Sequence, residues 1–228
     1  MLWVLVIVAL GALLYAPQWW AKRVIAKYSV PRSDIPQSGA EFAQALIHYA
    51  ALDAVEVDVA PPAQDHYDPT TREVRLSPMV HDERSLASVV IAAHEVGHAM
   101  QHQAGYWPLE LRTKLVGLAQ KLERLGSFAL VLMPIVGLLT RNPKAALVLS
   151  GLFGASVISS VLVHLITLPV ELDASFKRAL PYLRDVAALR EADLKGARQI
   201  LWAAALTYVA RSLSGLLNIW RWLRLLRR

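Results

Sequence analysis

The chain has no cysteine in its 228 residues. Disulfides and thiolate metal sites are therefore excluded, and any bound metal must rest on His, Asp and Glu. No repeat at solenoid periods and no low-complexity stretch occurs. A net charge of +6 is present without any nucleic-acid-binding motif. The basic residues instead flank apolar segments: Lys22, Arg23 and Lys27 near the start, and Arg221, Arg224, Arg227 and Arg228 at the end. That is the pattern of charge beside a membrane. Positive charge is also missing ahead of the first apolar run, Leu2 to Ala16, where a signal peptide carries it. The run closes on Pro17, Trp19 and Trp20, and then Lys22 and Arg23 follow. It reads as a membrane anchor with interfacial tryptophans, its N-terminus outside and residue 22 inside.

Apolar residues are abundant, at 55% of the chain, more than an average soluble domain carries. Phe128 to Leu139 and Ala145 to Val170 are apolar runs separated by Arg141-Asn-Pro-Lys144, which predicts a helical hairpin through a membrane, kinked at Pro134. Ala146, Ser150 and Gly154, and again Gly151, Ala155 and Ser159, repeat every four residues. Such small faces let membrane helices pack closely. Leu201 to Leu226 has helical composition interrupted by Arg211, suiting either a fourth span or an interfacial helix.

Between these runs the sequence looks water-soluble. Ser38 to Ala51 has helical spacing, with Phe42, Leu46 and Tyr49 on one face. Val55 to Val59 and Glu73 to Leu76 alternate as strands do, and His66-Tyr-Asp-Pro69 reads as a turn. A long helix is expected from about Glu83 to Gln103, with Asp82 as its N-cap and Gly105 as its C′ residue.

That helix carries His94-Glu95-Val96-Gly97-His98. Residues four apart on a helix stand one above the other, about 6 Å apart along the axis, so two imidazoles there can converge on one zinc ion. The glutamate beside the first histidine faces the same cleft and can take a proton from water held at the metal. The preceding residues, Ser88 to Ala93, are small or apolar. Two histidines and a glutamate on such a buried helix need a polar partner, and a metal is one.

A catalytic zinc takes three protein ligands and leaves one position open. His102 lies about 12 Å along the axis from His94, too far for bonds of about 2 Å. Glu171 is the better third ligand, because two membrane passes between His98 and Glu171 return the chain to the same side. Pro169 is expected to start a helix with Glu171 and Asp173 in its first turn. His66 and Tyr67 are candidates for the cleft. His164, seven residues before Glu171, has the same helical phase.

These motifs together resemble the bacterial neutral zinc metallopeptidases of the membrane-protease type. The matching stretches are His66-Tyr-Asp-Pro69, Val74-Arg-Leu-Ser77, Ala92-Ala-His-Glu-Val-Gly-His-Ala-Met-Gln-His102, Gly105-Tyr106, Leu168-Pro-Val-Glu171 and Ala203-Ala-Ala-Leu-Thr-Tyr208. The resemblance implies a zinc-dependent protease with His94, Glu95 and His98 in the roles given above. More distantly, Glu171 with Ala174 is similar to the Glu-x-x-Ala-Asp segment of integral-membrane gluzincin proteases, in which the Glu is the third ligand and the Asp supports a ligating His. Ser175 stands where that Asp would be, leaving the supporting role open between Asp173, Ser175 and neither.

The expected fold class is mainly α: a membrane helix bundle with a zincin-like metal helix and a small two- or three-stranded β-sheet. Four segments follow: a transmembrane anchor at 1–27, a soluble metallopeptidase segment at 28–110, a linker helix and transmembrane hairpin at 111–170, and a third-ligand helix with a C-terminal membrane-associated helix at 171–228. The expected activity is Zn2+-dependent endopeptidase cleavage of polypeptides, membrane proteins among them, at a bacterial-type cytoplasmic membrane crossed several times. Lys22, Arg23, Lys27 and Arg32 put the metal site on the cytoplasmic side. The rival expectations are a non-proteolytic membrane protein with a structural metal and a basic adaptor at the membrane surface.

Overall fold

The computed structural model describes residues 2–140, 143–187 and 189–206. The remainder of the C-terminal run, from 207 on, and the Arg141–Asn142 tip lie outside the described residues, as do the expectations placed on them. The chain is mostly helical with one small sheet, and its elements run in this order: α1 (Leu2–Tyr28), α2 (Gly39–Tyr49), β1 (Glu56–Val59), β2 (His66–Asp68), β3 (Glu73–Leu76), α3 (Pro78–Asp82), α4 (Leu86–Gln103), α5 (Trp107–Thr140), α6 (Pro143–Leu172), a π-helical segment (Asp173–Ala179) and α7 (Leu180–Asp185). Residues 191–206 are helical as well. Two compact units result: one joins Met1–Tyr106 to Pro169–Thr207, and the other is built around Trp107–Leu168.

In the first unit the three strands lie in the order β1-β3-β2. The sheet's centre is β3, with Val74 and Leu76 fully buried and Glu73 and Arg75 turned toward solvent, as its alternation requires. Its register with β1 is parallel, Val57 opposite Val74; with β2 it is antiparallel, Tyr67 opposite Val74. His66–Asp68 is therefore a strand and not the turn its sequence suggests. A short His-Tyr-Asp run has little β signal of its own, and the ladder to β3 is what makes it extended.

α4 is the axis of this unit. All its residues except Ile91, Met100, His102 and Gln103 are buried, and fully burying an apolar side chain such as Leu86, Val90 or Val96 contributes about 1.5–3 kcal/mol. Its start differs from the expected one. The chain first makes the short α3, Glu83 then adopts an extended conformation, and Ser85 caps α4 by accepting the Ser88 N–H. Asp82 instead ends α3, its carboxylate 2.6 Å from His81 Nδ1. The far end is as expected. Ala104 is the cap residue and Gly105 follows with φ +60°, while Gly105 N–H reaches the His102 carbonyl and Tyr106 N–H the Gln101 carbonyl. That pair of bonds is a Schellman motif, which needs the left-handed residue that glycine supplies.

α2 begins in a capping box between Ser38 and Glu41 and buries Phe42, Ala43, Leu46 and Ile47. At the start of α2, Gly39 permits close packing, since a Cβ there would stand 2.1 Å from the Val80 carbonyl oxygen.

In the second unit, Gly126 and Ser156 mark a close approach of α5 and α6: a Cβ on Gly126 would lie 2.4 Å from the Ser156 Oγ. Phe128, Leu138, Leu139, Leu147, Val148 and Leu165 are exposed, more apolar surface than a soluble helix pair leaves to water. Trp107–Leu139 and Lys144–Asp185 are helices long and apolar enough to cross a membrane.

Pro169 does not open a helix. It lies inside α6, and Glu171 is near that helix's end, followed by the π-helical segment. Proline lacks the N–H for the bond to the preceding turn; the π-helical segment begins beyond Glu171, at Asp173, and such distortions recur at functional sites.

Candidate metal centre

Three of the residues singled out in the sequence meet. His94 Nε2 lies 3.0 Å from Glu171 Oε2, and His98 Nε2 lies 3.5 Å from the same oxygen. One ligand atom from each of the three lies within 4.8 Å of the others, the one such group among the described residues. His94 and His98 face the same way because they are one turn apart on α4; their rings are 4.7 Å apart and nearly perpendicular. Glu171 comes from α6, 77 positions away from His94. All three are buried, Glu171 to 1% exposure, and Glu95 between the two histidines is buried as well.

The close approach of two backbones makes the meeting possible. Gly97, on the face of α4 that carries the histidines, packs against the π-helical segment, and a Cβ there would stand 2.8 Å from the Ala174 carbonyl oxygen. No larger residue fits without separating the two elements.

The outer nitrogens of the histidines are also held. His94 Nδ1 lies 3.0 Å from Ser175 Oγ, and His98 Nδ1 lies 2.9 Å from Gln101 Oε1. Of the alternatives the sequence left open, Ser175 is therefore the residue at His94. Asp173 makes no hydrogen bond or ion pair with either histidine; its carboxylate accepts the Gln101 amide at 2.9 Å and Arg178 Nε at 2.9 Å. The sequence reading passed over Gln101. Its signal was there: residues 94, 98 and 101 fall at i, i+4 and i+7, one stripe of a helix.

The other candidates lie elsewhere. His66 Nδ1 is 2.7 Å from the Gln64 carbonyl. The Tyr67 hydroxyl is 2.8 Å from His102 Nδ1, so these two pair with each other beside a cavity of about 270 Å³ that Arg72 and Ala99 also line. Burial pushes the Tyr67 phenol above its ordinary pKa.

The donor set fits zinc. Two imidazole nitrogens and one carboxylate oxygen are a ligand set of three-ligand catalytic zinc centres, and here the three atoms lie within 4.8 Å of one another. Two histidines and one glutamate are the ligand set found in one class of zinc hydrolases.

The match to known proteins narrows that class. The model of the family described as "Putative neutral zinc metallopeptidase" matches residues 2–227, and the chain belongs to that family. It is similar to the "Putative membrane protease YugP" of Bacillus subtilis (strain 168), with 38% identity over 218 residues, 95% of this chain and 92% of that protein. No solved structure matches the chain.

Proposed function

We propose that the protein is a membrane-bound zinc endopeptidase, with the metal held by His94, His98 and Glu171 and the general base supplied by Glu95. The observation that carries this reading is the meeting of three ligand atoms from α4 and α6 at a buried point, on the helix that also bears Glu95. When bound, zinc supplies Lewis-acid polarisation of a peptide carbonyl and of water. Glu95 follows His94 directly and is not one of the three clustered ligands. Its carboxylate accepts a proton from the attacking water and delivers it to the leaving amine, so the chain itself carries the proton between the two half-reactions. Ser175 and Gln101 occupy the Nδ1 atoms of the two histidines, leaving each Nε2 for the metal. The substrate is a polypeptide, laid along an open edge of the three-stranded sheet by main-chain hydrogen bonds.

The apolar stretches of α1, α5 and α6 anchor the protein in a bacterial-type cytoplasmic membrane, crossing it several times with the metal centre on the cytoplasmic side. Support comes from the two helices of spanning length, from the relative named a membrane protease, and from the basic residues after the first apolar run.

The test is Glu95→Gln. The amide keeps the shape and cannot accept the proton. Metal analysis of the purified variant should show zinc bound as in the parent, while peptide cleavage falls to background. Cleavage at the parental rate would remove Glu95 from its role.

A further inference from the structure

Gln101 is fully buried, and every polar hydrogen and its oxygen are engaged. Its Nε2 donates to the Val170 carbonyl at 2.8 Å and to Asp173 Oδ1 at 2.9 Å. Both partners are acceptors only, so the amide nitrogen must face them and the carbonyl oxygen must face His98. A carbonyl oxygen cannot donate. His98 Nδ1 therefore carries the hydrogen in the 2.9 Å contact, and the lone pair of the ring is left on Nε2, the atom turned toward Glu171.

We propose that Gln101 is the positioning residue of the metal centre: its amide fixes His98 in the tautomer that binds metal through Nε2 and clasps α4 to the segment that carries Glu171. The proposal rests on the His94–His98–Glu171 reading of the site. Its second half follows from where the amide bonds go. One side of Gln101 holds a ligand on α4; the other holds the backbone one residue before Glu171 and the carboxylate two residues after it. Arg178 Nε, 2.9 Å from the same Asp173 oxygen, fixes the far end of the chain of contacts. Arg178, Asp173, Gln101 and His98 thus form one line, through which the register of the π-helical segment on α4 sets where Glu171 meets the two imidazoles. Partners of this kind typically change metal affinity 10–100-fold when removed.

The experiment compares the full chain in detergent micelles with Gln101→Met, Asp173→Ala and Asp173→Asn, measuring zinc dissociation constants by competition with a chromogenic chelator, the cobalt(II) ligand-field spectrum, and melting of the metal-free protein. Gln101→Met keeps the volume and loses all three bonds; zinc binding should weaken about 10–100-fold and the cobalt spectrum should shift. Asp173→Ala should weaken binding in the same direction, and Asp173→Asn, whose oxygen still accepts from Gln101, should restore most of it. A purely structural glutamine would lower the metal-free melting temperature and leave both the dissociation constant and the spectrum at parental values, which would overturn the proposal. If Gln101→Met does not fold, equal affinities for Asp173→Ala and Asp173→Asn overturn it instead. A failure of the underlying reading is distinguishable: the parent itself would then bind zinc no better than a His94→Ala, His98→Ala variant.

Discussion

Gly97 lies against the Ala174 carbonyl so closely that a Cβ would come within 2.8 Å of the oxygen. The contact is with backbone, which cannot swing aside as a side chain can. Gly97→Ala should therefore push α4 from the π-helical segment, at an overpacking cost of about 1–3 kcal/mol, and separate the histidines from Glu171. Thermal melting and zinc titration should both register the change. Gly117→Ala is the matched control: it lies in α5 with nothing near its Cβ, and should be neutral or stabilising by up to about 1 kcal/mol. Equal behaviour of the two variants would mean that the close approach does not matter.

Ser175 stands at His94 Nδ1, where its hydroxyl can accept the ring N–H. Ser175→Ala should lower zinc affinity by about tenfold and the stability of the metal-free fold by about 1 kcal/mol, the cost of one buried hydrogen bond. Isothermal titration with zinc reads the effect; an unchanged dissociation constant would show that His94 orients itself without help.

The Tyr67 hydroxyl is bound to His102 rather than to any of the three clustered ligands. Tyr67→Phe should cost about 1 kcal/mol of stability with zinc affinity unchanged. A large loss of cleavage at full zinc occupancy and near-parental stability would instead assign the hydroxyl to the reaction.

Acid should loosen the fold through one cluster. Arg32 pairs with Asp193 at 2.6 Å and with Asp34 at 2.7 Å, and Arg190 reaches both carboxylates. The hydrogen bond from Arg32 lowers Asp34 to about 2 and also holds Asp193 below its ordinary value. Both carboxylates have folded pKa values below their unfolded ones, so their contribution is complete above about pH 4 and is lost as pH falls toward 2. Arg32→Ala should lower the melting temperature at pH 7 and flatten its decline between pH 4 and pH 2. A parallel curve in that window would show that the cluster contributes nothing to acid sensitivity.

Orientation is testable by reporter fusions. A periplasm-active reporter joined after Pro108 should be silent, and one joined near Asn142 should be active, because four basic residues after the first apolar run outweigh Arg141 and Lys144 at the tip. The opposite pattern would invert the orientation and leave the metal centre as it is.

The sequence alone determined what is local. His94 and His98 are one turn apart whatever surrounds them, Gly105 ends α4 through its own backbone freedom, and the alternation of Glu73–Leu76 places Val74 and Leu76 on one face. Each of these depends on a few neighbouring residues, so spacing and side-chain type suffice to read them. Tertiary structure decided the rest. His66–Asp68 becomes a strand only because β3 offers it hydrogen bonds, and Pro169 sits within a helix because the surrounding packing holds the chain helical despite one missing bond. Ser175, rather than Asp173, reaches His94, and Gln101 joins His98 to the Glu171 segment. These contacts link positions far apart in the chain, and they depend on the depth to which two backbones dock at Gly97 and Ala174. Local propensity carries no information about that depth; packing sets it.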